Sequence, residues 1–319
     1  WDHVWIKEHP EYYTKNAKGE IIDPINPETG KSWGWSDVAD LNYDNKELRK
    51  EMTADMLHWI KNENIDGFRC DVASNVPLDF WQQAIPQLRK EKDIFMLAEA
   101  WEPELLKDGL FDMAYGWEVH HTMNRIAQGK NTVKDWDRLI EENAKKYESN
   151  DILMSFVDNH DENSWNGTVK GRLGKAEEAM TALSYVMPGM PLIYSGNEYG
   201  LNHSLKFFEK DSIPKIKGKE WELRAKLGKL KAENIALNGG KNKDKYTRIK
   251  TNDDTNILAF VREKNGKKVV YIANFSSKPI NSKVTITGEF VNYMTGKPMS
   301  LNDKVVITLQ PFQYFILTN

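Results

Sequence analysis

The chain has a single cysteine, Cys70, in 319 residues, which excludes an internal disulfide framework and any zinc site built on cysteines. That leaves its compartment open. An excess of charge is missing too, since 44 Lys and Arg stand against 47 Asp and Glu for a formal charge of -3, and no nucleic acid or other polyanion is expected as a partner. No stretch approaches the roughly 20 consecutive apolar residues of a spanning helix, so no membrane span is expected. Tryptophan is absent after Trp221 although 11 occur up to that point, so the composition changes along the chain. The first residue is Trp1 rather than Met, as expected of a chain produced by processing or truncation. What is present, 40% hydrophobic and 29% charged residues, fits one large globular domain and a smaller one.

Residues 1–44 mix aromatics with Pro10, Pro24, Pro27, Gly19, Gly30 and Gly34 and hold no sustained period, so a loop-rich segment is expected there. From Asn45, Leu48, Met52, Met56, Trp59 and Ile60 recur at helical spacing toward Asn64. Then short apolar runs alternate with helical patterns. DGFRCDVA (66–73), DIFMLAEA (93–100), LFDMAYGW (110–117), ILMSFVDNHD (152–161) and MPLIYSGNE (190–198) read as strand segments, with a helical stretch expected from Pro77, a helical region over 119–147, a helix around 175–187 and a last one over 221–236. Such alternation predicts a parallel sheet with crossover helices over 45–240. After a Gly/Lys/Asn-rich hinge (237–245), residues 241–319 read as several short strands, among them KVTITG, with turn signals at Asn265-Gly266 and Thr287-Gly288. A small antiparallel β-sandwich is expected there.

Four of the five strands end in polar or charged residues: Arg69 and Asp71, Glu99, Asp158 through Asp161, and Glu198. In parallel α/β folds the C-terminal strand ends are where sites form. If the strands are neighbours, Asp71, Glu99 and Asp161 converge, and convergent carboxylates suit glycoside chemistry, in which one attacks the sugar carbon and another protonates the departing oxygen. Arg69, two residues before Asp71, points to the same side and would keep Asp71 ionised, while a drier pocket near Trp101 would raise the pKa of Glu99. Each residue also has a plainer reading. An Asp after a strand is usually a turn former or helix cap, His160 a structural histidine, Glu198 a brace, and the tryptophans core.

In order and spacing, GFRCDVA, LAEAW, FVDNHD and GMPLIYSGNEYG resemble the conserved strand segments of the α-amylase family of glycoside hydrolases, and DVADLNYDN (37–45) is similar to that family's short loop signature. The resemblance covers about residues 1–236, and the tail looks like the family's C-terminal domain. It implies a (β/α)8 TIM-type barrel, N-terminally truncated in this chain, followed by an all-β sandwich. Residues 1–44 would be the loop-rich insertion before strand four, 45–240 strands four to eight, and 241–319 the sandwich. It further implies Asp71 as nucleophile, Glu99 as general acid/base, Asp161 as the carboxylate stabilising the oxocarbenium-like transition state, and Arg69 and His160 as sugar ligands. Trp101, Trp165 and Trp35 flank the motifs and are expected as aromatic platforms, with Trp101 the foremost substrate-binding candidate.

The expected reaction is retaining hydrolysis of α-1,4-glucosidic bonds in starch-like glucans or maltooligosaccharides. An α-glucosidase, a cyclodextrin or pullulan hydrolase and a transglycosylase are the rivals within the family, and an inactive sugar-binding or scaffold protein is the rival outside it. No catalytic metal is expected. A structural calcium is not favoured either, since Ser74-Asn75-Val76 stands where many calcium-dependent amylases carry a Lys-His pair. Without the family's first three strands the 319-residue chain is expected not to hydrolyse starch alone, and its open sheet to be covered by self-association or by pairing with the missing N-terminal segment.

Overall fold

The computed structural model describes residues 1–27, 29–240, 244–302 and 304–319. Residues 241–243 of the expected hinge, where the third expected segment begins, lie outside the described residues. Two compact units are distinguished, Trp1–Asp112 and Met113–Asn319.

The first unit opens with a short helix, α1 (Val4–Glu8), inside the segment expected to be loop, followed by chain tied by isolated bridges Tyr13↔Leu41, Lys15↔Ile21 and Ile25↔Ser32. Tyr12 and Tyr13 are buried with Leu48, which anchors this segment to α2 (Lys46–Glu63). Asn45 caps α2, its side chain accepting the N–H groups of Glu47 and Leu48, and Asn64 ends the helix in a left-handed conformation at φ 53°. Trp59, expected in the apolar stripe of α2, is exposed, while Leu48 and Ile60 carry the burial. Strand β1 (Gly67–Cys70) pairs in parallel with β2 (Phe95–Ala98) across α3 (Leu78–Glu91), whose Phe80, Trp81, Ala84, Ile85 and Leu88 are buried. Gly67 is indispensable here. At φ +147° a Cβ on it would lie 1.8 Å from the Phe95 carbonyl oxygen, so only glycine permits the two strands to approach this closely.

In the second unit β3 (Met113–Tyr115), β4 (Ile152–Ser155) and β5 (Met190–Pro191) are parallel neighbours. The helical region expected over 119–147 consists of two helices, α4 (Trp117–Ala127) and α5 (Val133–Lys146). Gly129 at φ +70° and a capping box of Thr132 and Asp135 separate them. After β4 come two unexpected short helices, α6 (His160–Trp165) and α7 (Val169–Leu173), then α8 (Glu177–Val186) and, past β5, α9 (Lys219–Glu233).

The tail forms β6 (Lys245–Arg248), β7 (Ile257–Lys264), β8 (Lys267–Asn274), β9 (Ile280–Ser282), β10 (Gly288–Asn292), β11 (Pro298–Leu301), β12 (Ile307–Leu309) and β13 (Tyr314–Thr318). Six of them make one antiparallel sheet in the order β11-β10-β13-β8-β7-β6, and β12 pairs with β9. Asn265 and Gly266, both at positive φ, close the β7–β8 hairpin as a two-residue turn, as the Asn-Gly signal predicts. Thr287-Gly288 does not turn. Gly288 opens β10, and the expected strand KVTITG is reduced to a single bridge at Val284. The sheet packs on the helices of its own unit: Phe260, Val269, Tyr271 and Ile316 share a core with Ala179, Leu183, Leu227 and Trp136. The Tyr271 hydroxyl donates to the Ala179 carbonyl at 2.8 Å from a fully buried position.

Candidate active site

Strand register builds the acidic cluster of the first unit. Cys70 pairs with Ala98, and one step further the chain carries Asp71 and Glu99. Alternation puts Arg69, Asp71, Leu97 and Glu99 on one face and Cys70, Met96 and Ala98 on the other, which is buried. The Cys70 thiol is pushed up to about 12 by burial, so it is an inert packing group.

On the open face one guanidinium serves both acids. Arg69 pairs with Asp71 through Nη1 and with Glu99 Oε2 through Nη2 at 2.9 Å. The environments differ: the Asp71 side chain is 73% exposed and that of Glu99 15%. Glu99 Oε2 also accepts the Val72 N–H at 2.8 Å. Val72 reaches this geometry by adopting a left-handed conformation at φ 41°, which costs a β-branched residue about 1–3 kcal/mol. The main chain fixes the pair further. The Glu99 N–H donates to the Cys70 carbonyl at 3.0 Å, and the Ala73 N–H to the Glu99 carbonyl at 3.1 Å. Trp101 follows, half exposed, with its N–H on the Glu102 carboxylate.

In the second unit His160 and Asp161 occupy the first turn of α6, with His160 Nε2 3.4 Å from Asp161 Oδ2 and both side chains partly exposed. Asn159 caps the helix by accepting the Glu162 N–H at 2.8 Å. Beneath lies a network that no sequence pattern points to. Asp158, buried three residues past β4, accepts from Arg172 at 2.6 Å and from the Asn197 amide at 3.3 Å. Arg172 also lies 3.6 Å from Glu162, which pairs with the buried His120 at 2.9 Å. Burial pushes the Asp158 carboxyl up to about 6 against the pull of Arg172 and Asn197. For Glu162 burial acts upward as well, but His120, Asn166 and Arg172 together hold it down at about 2. Glu198 takes the N–H of Gly196 at 2.9 Å and so braces its own turn.

Of the expected platforms, Trp165 is 62% exposed at the end of α6, and Trp35 is half-buried and stacked on Trp33 at 5.2 Å. Among the described residues no three His, Cys, Asp or Glu side chains are grouped to hold a metal ion, and no helix is long and apolar enough to cross a membrane.

Comparison with known proteins decides the family, because the catalytic-domain model of α-amylase matches residues 32–256. The chain belongs to the α-amylase family. The C-terminal domain model of maltogenic amylase matches residues 247–316. An intracellular maltogenic amylase of Bacillus subtilis strain 168 is 26% identical over 89% of this chain and 50% of its own length. The α-amylase MalA of Haloarcula japonica is 25% identical over 52% of this chain and 25% of its own. The chain thus spans half or less of the length of these relatives. Among solved structures, the noncanonic maltogenic α-amylase AmyB from Thermotoga neapolitana superposes with a TM-score of 0.85 at 23% identity over 99% of this chain and 74% of that one. An α-amylase from Lactobacillus plantarum gives 0.82 at 23% identity, over 99% and 74% respectively. These likenesses show the fold, a TIM-type barrel with an all-β C-terminal domain.

Proposed function

We propose that the protein cleaves α-1,4-glucosidic bonds of starch-like glucans or maltooligosaccharides with retention of configuration. The observation that carries this is the single guanidinium of Arg69 contacting both Asp71 and Glu99. Two carboxylates held by one planar fork favour the close spacing of a retaining pair, about 5–5.5 Å, over the wider spacing that leaves room for a water.

In the first step the Asp71 carboxylate attacks the anomeric carbon while Glu99, as the acid, gives its proton to the departing glycosidic oxygen. In the second, water gives a proton to Glu99 and attacks the same carbon, which frees Asp71 as a carboxylate. The more exposed acid is thereby the nucleophile and the more enclosed one the proton carrier. Asp161, by its place in the family motif, takes the role of stabilising the oxocarbenium-like transition state, and His160 that of a sugar ligand. A sugar hydroxyl in place of water in the second step would give transfer. Two α-1,4-glucan:maltose-1-phosphate maltosyltransferases of Mycobacterium tuberculosis, 30% identical over 40% of this chain, are named for transfer.

No metal takes part in this scheme, and turnover is expected to survive chelation. In a complete protein Asp71→Asn and Glu99→Gln should each lower kcat by several powers of ten, since each removes an interaction made chiefly in the transition state. Proton NMR of the first product should show the α-anomer. A β-anomeric first product, or either variant keeping more than a tenth of wild-type kcat, refutes the assignment.

A further inference from the structure

The last turn of α6 and the chain after residue 200 build a feature that the two-carboxylate reading does not use. Buried Asn163 accepts the Leu205 N–H at 2.8 Å and donates to the His203 carbonyl at 3.3 Å, and the Ser164 hydroxyl donates to the Leu205 carbonyl at 3.3 Å. Further along, the Asp211 carboxylate accepts the N–H groups of Lys206 at 3.1 Å and Ser212 at 2.7 Å. Tied at both points, the intervening loop holds two phenylalanines outward. Phe207 and Phe208 are 43% and 70% exposed. The Phe207 ring lies 5.2 Å from that of Trp165 and meets Phe208 edge to face at 4.8 Å.

Three adjoining aromatic rings kept in water forgo a large burial gain, about 1.5–3 kcal/mol for a fully buried side chain of this size, and contiguous exposed apolar surface marks interaction sites. A pocket of about 310 Å³ adjoins them, with His160, Tyr194, Phe207 and Asp211 in its wall and Lys206 and Glu209 beside them. That volume is at the lower end of the roughly 300–1,000 Å³ of small-ligand sites. Apolar ring faces next to carboxylates and an ammonium group match a sugar, whose C–H face stacks while its hydroxyls seek charged partners. A wholly apolar partner would leave Asp211, Glu209 and Lys206 facing it without water.

We propose that Trp165, Phe207 and Phe208 form a platform that holds glucosyl units of an α-glucan chain beside His160, a specificity-determining surface for longer substrates. The proposal rests on the glucan reading above, so binding and turnover are measured separately. Native electrophoresis of the protein through gels with and without soluble starch reads binding, and release of reducing sugar from the same starch reads turnover. Trp165→Ala and Phe208→Ala should each weaken retardation about 5- to 20-fold in apparent affinity, the range of about 1–2 kcal/mol for an aromatic contact. Trp165→Phe should keep most of it, and Trp59→Ala, at an exposed tryptophan of α2, all of it. Because Phe208 is largely in solvent, its variant tests the surface without a folding defect. Loss of retardation in both alanine variants supports the platform whatever turnover shows. Retardation without turnover in the wild type supports the platform, since the 319-residue chain is not expected to hydrolyse starch alone and only binding is at issue. Wild-type migration unaffected by starch, or alanine variants retarded like the wild type, overturns the platform. So does a changed sedimentation coefficient with unchanged retardation, which would mark the surface as a contact between copies.

Discussion

Replacing Arg172 by methionine should unfold the second unit far more easily while leaving its apolar packing intact. Arg172 is 9% exposed, and the two acids it faces, Asp158 and Glu162, are 1% and 9% exposed in their side chains. The stem of the side chain survives the change but the guanidinium does not, so among the described residues Asp158 keeps only the Asn197 amide as a side-chain partner and Glu162 keeps His120 and Asn166. Removing one member of a buried pair costs about 3–5 kcal/mol, because the charge left behind has lost both water and partner. For a unit of this size each kcal/mol lowers Tm by about 2–4 °C, so a fall of roughly 6–20 °C is expected by calorimetry.

The deficit should also depend on pH. The folded Asp158 carboxyl already titrates near 6, above its unfolded value, so its contribution is fully present below the unfolded pKa and is lost as pH rises through the folded one. Without Arg172 the folded value rises further. The variant should therefore lie closer to the wild type at pH 5 than at pH 8, and Asp158→Asn added to Arg172→Met should recover part of the lost stability at pH 8. A Tm within 2 °C of wild type at pH 8, or an equal deficit at both pH values, refutes the reasoning.

Glu162 works in the opposite sense. Its folded pKa, about 2, is below the ordinary carboxylate value, so its stabilisation is present above about 4.5 and lost as pH falls through 2. Glu162→Gln should therefore flatten the acid-denaturation curve between those values, and an unchanged acid midpoint would remove Glu162 from the network's energetics. Gly67→Ala should cost about 3 kcal/mol or more in urea denaturation, since the new Cβ would collide with the Phe95 carbonyl and the backbone cannot retreat without breaking β1–β2 pairing. A midpoint within error of wild type would show that the strands can separate there at little cost.

The strand ends were readable because their chemistry is local. GFRCD and LAE are short apolar runs that stop at a charge, and period-two alternation places Arg69 beside Asp71 whatever the rest of the chain does. The Asn-Gly hairpin and the helix end at Asn64 were legible for the same reason. By contrast, Arg172 and His120 meet Asp158 and Glu162 only through tertiary packing, and in the sequence each looks like an ordinary solvated charge on a helix. The break between α4 and α5 lies inside a stretch legible only as helical. Apolar spacing persists on both sides of residues 128–132, so a period count runs straight through, although Gly129 and the Thr132/Asp135 box state the interruption. Thr287-Gly288 misled because a glycine at positive φ serves equally well to open a strand as to turn one.

The candidate residues of the two units are held by opposite means, and this bears on what each group can tolerate. Asp71 and Glu99 are brought side by side by backbone register, and two adjacent carboxylates repel unless something lies between them. Arg69 supplies that at the surface of the site, where water still screens the charges and the cost of assembling them is small. His160 and Asp161 instead ride on a helix of six residues, too short to be stable by its own hydrogen bonds. Its anchorage comes from the charges beneath it, where screening is weak and each partner's removal is expensive. Substitutions around β1 and β2 should thus act on rate with little effect on folding, apart from Gly67. Substitutions under α6 should act on both together, because the groups that hold the helix down are the same ones that aim its first turn.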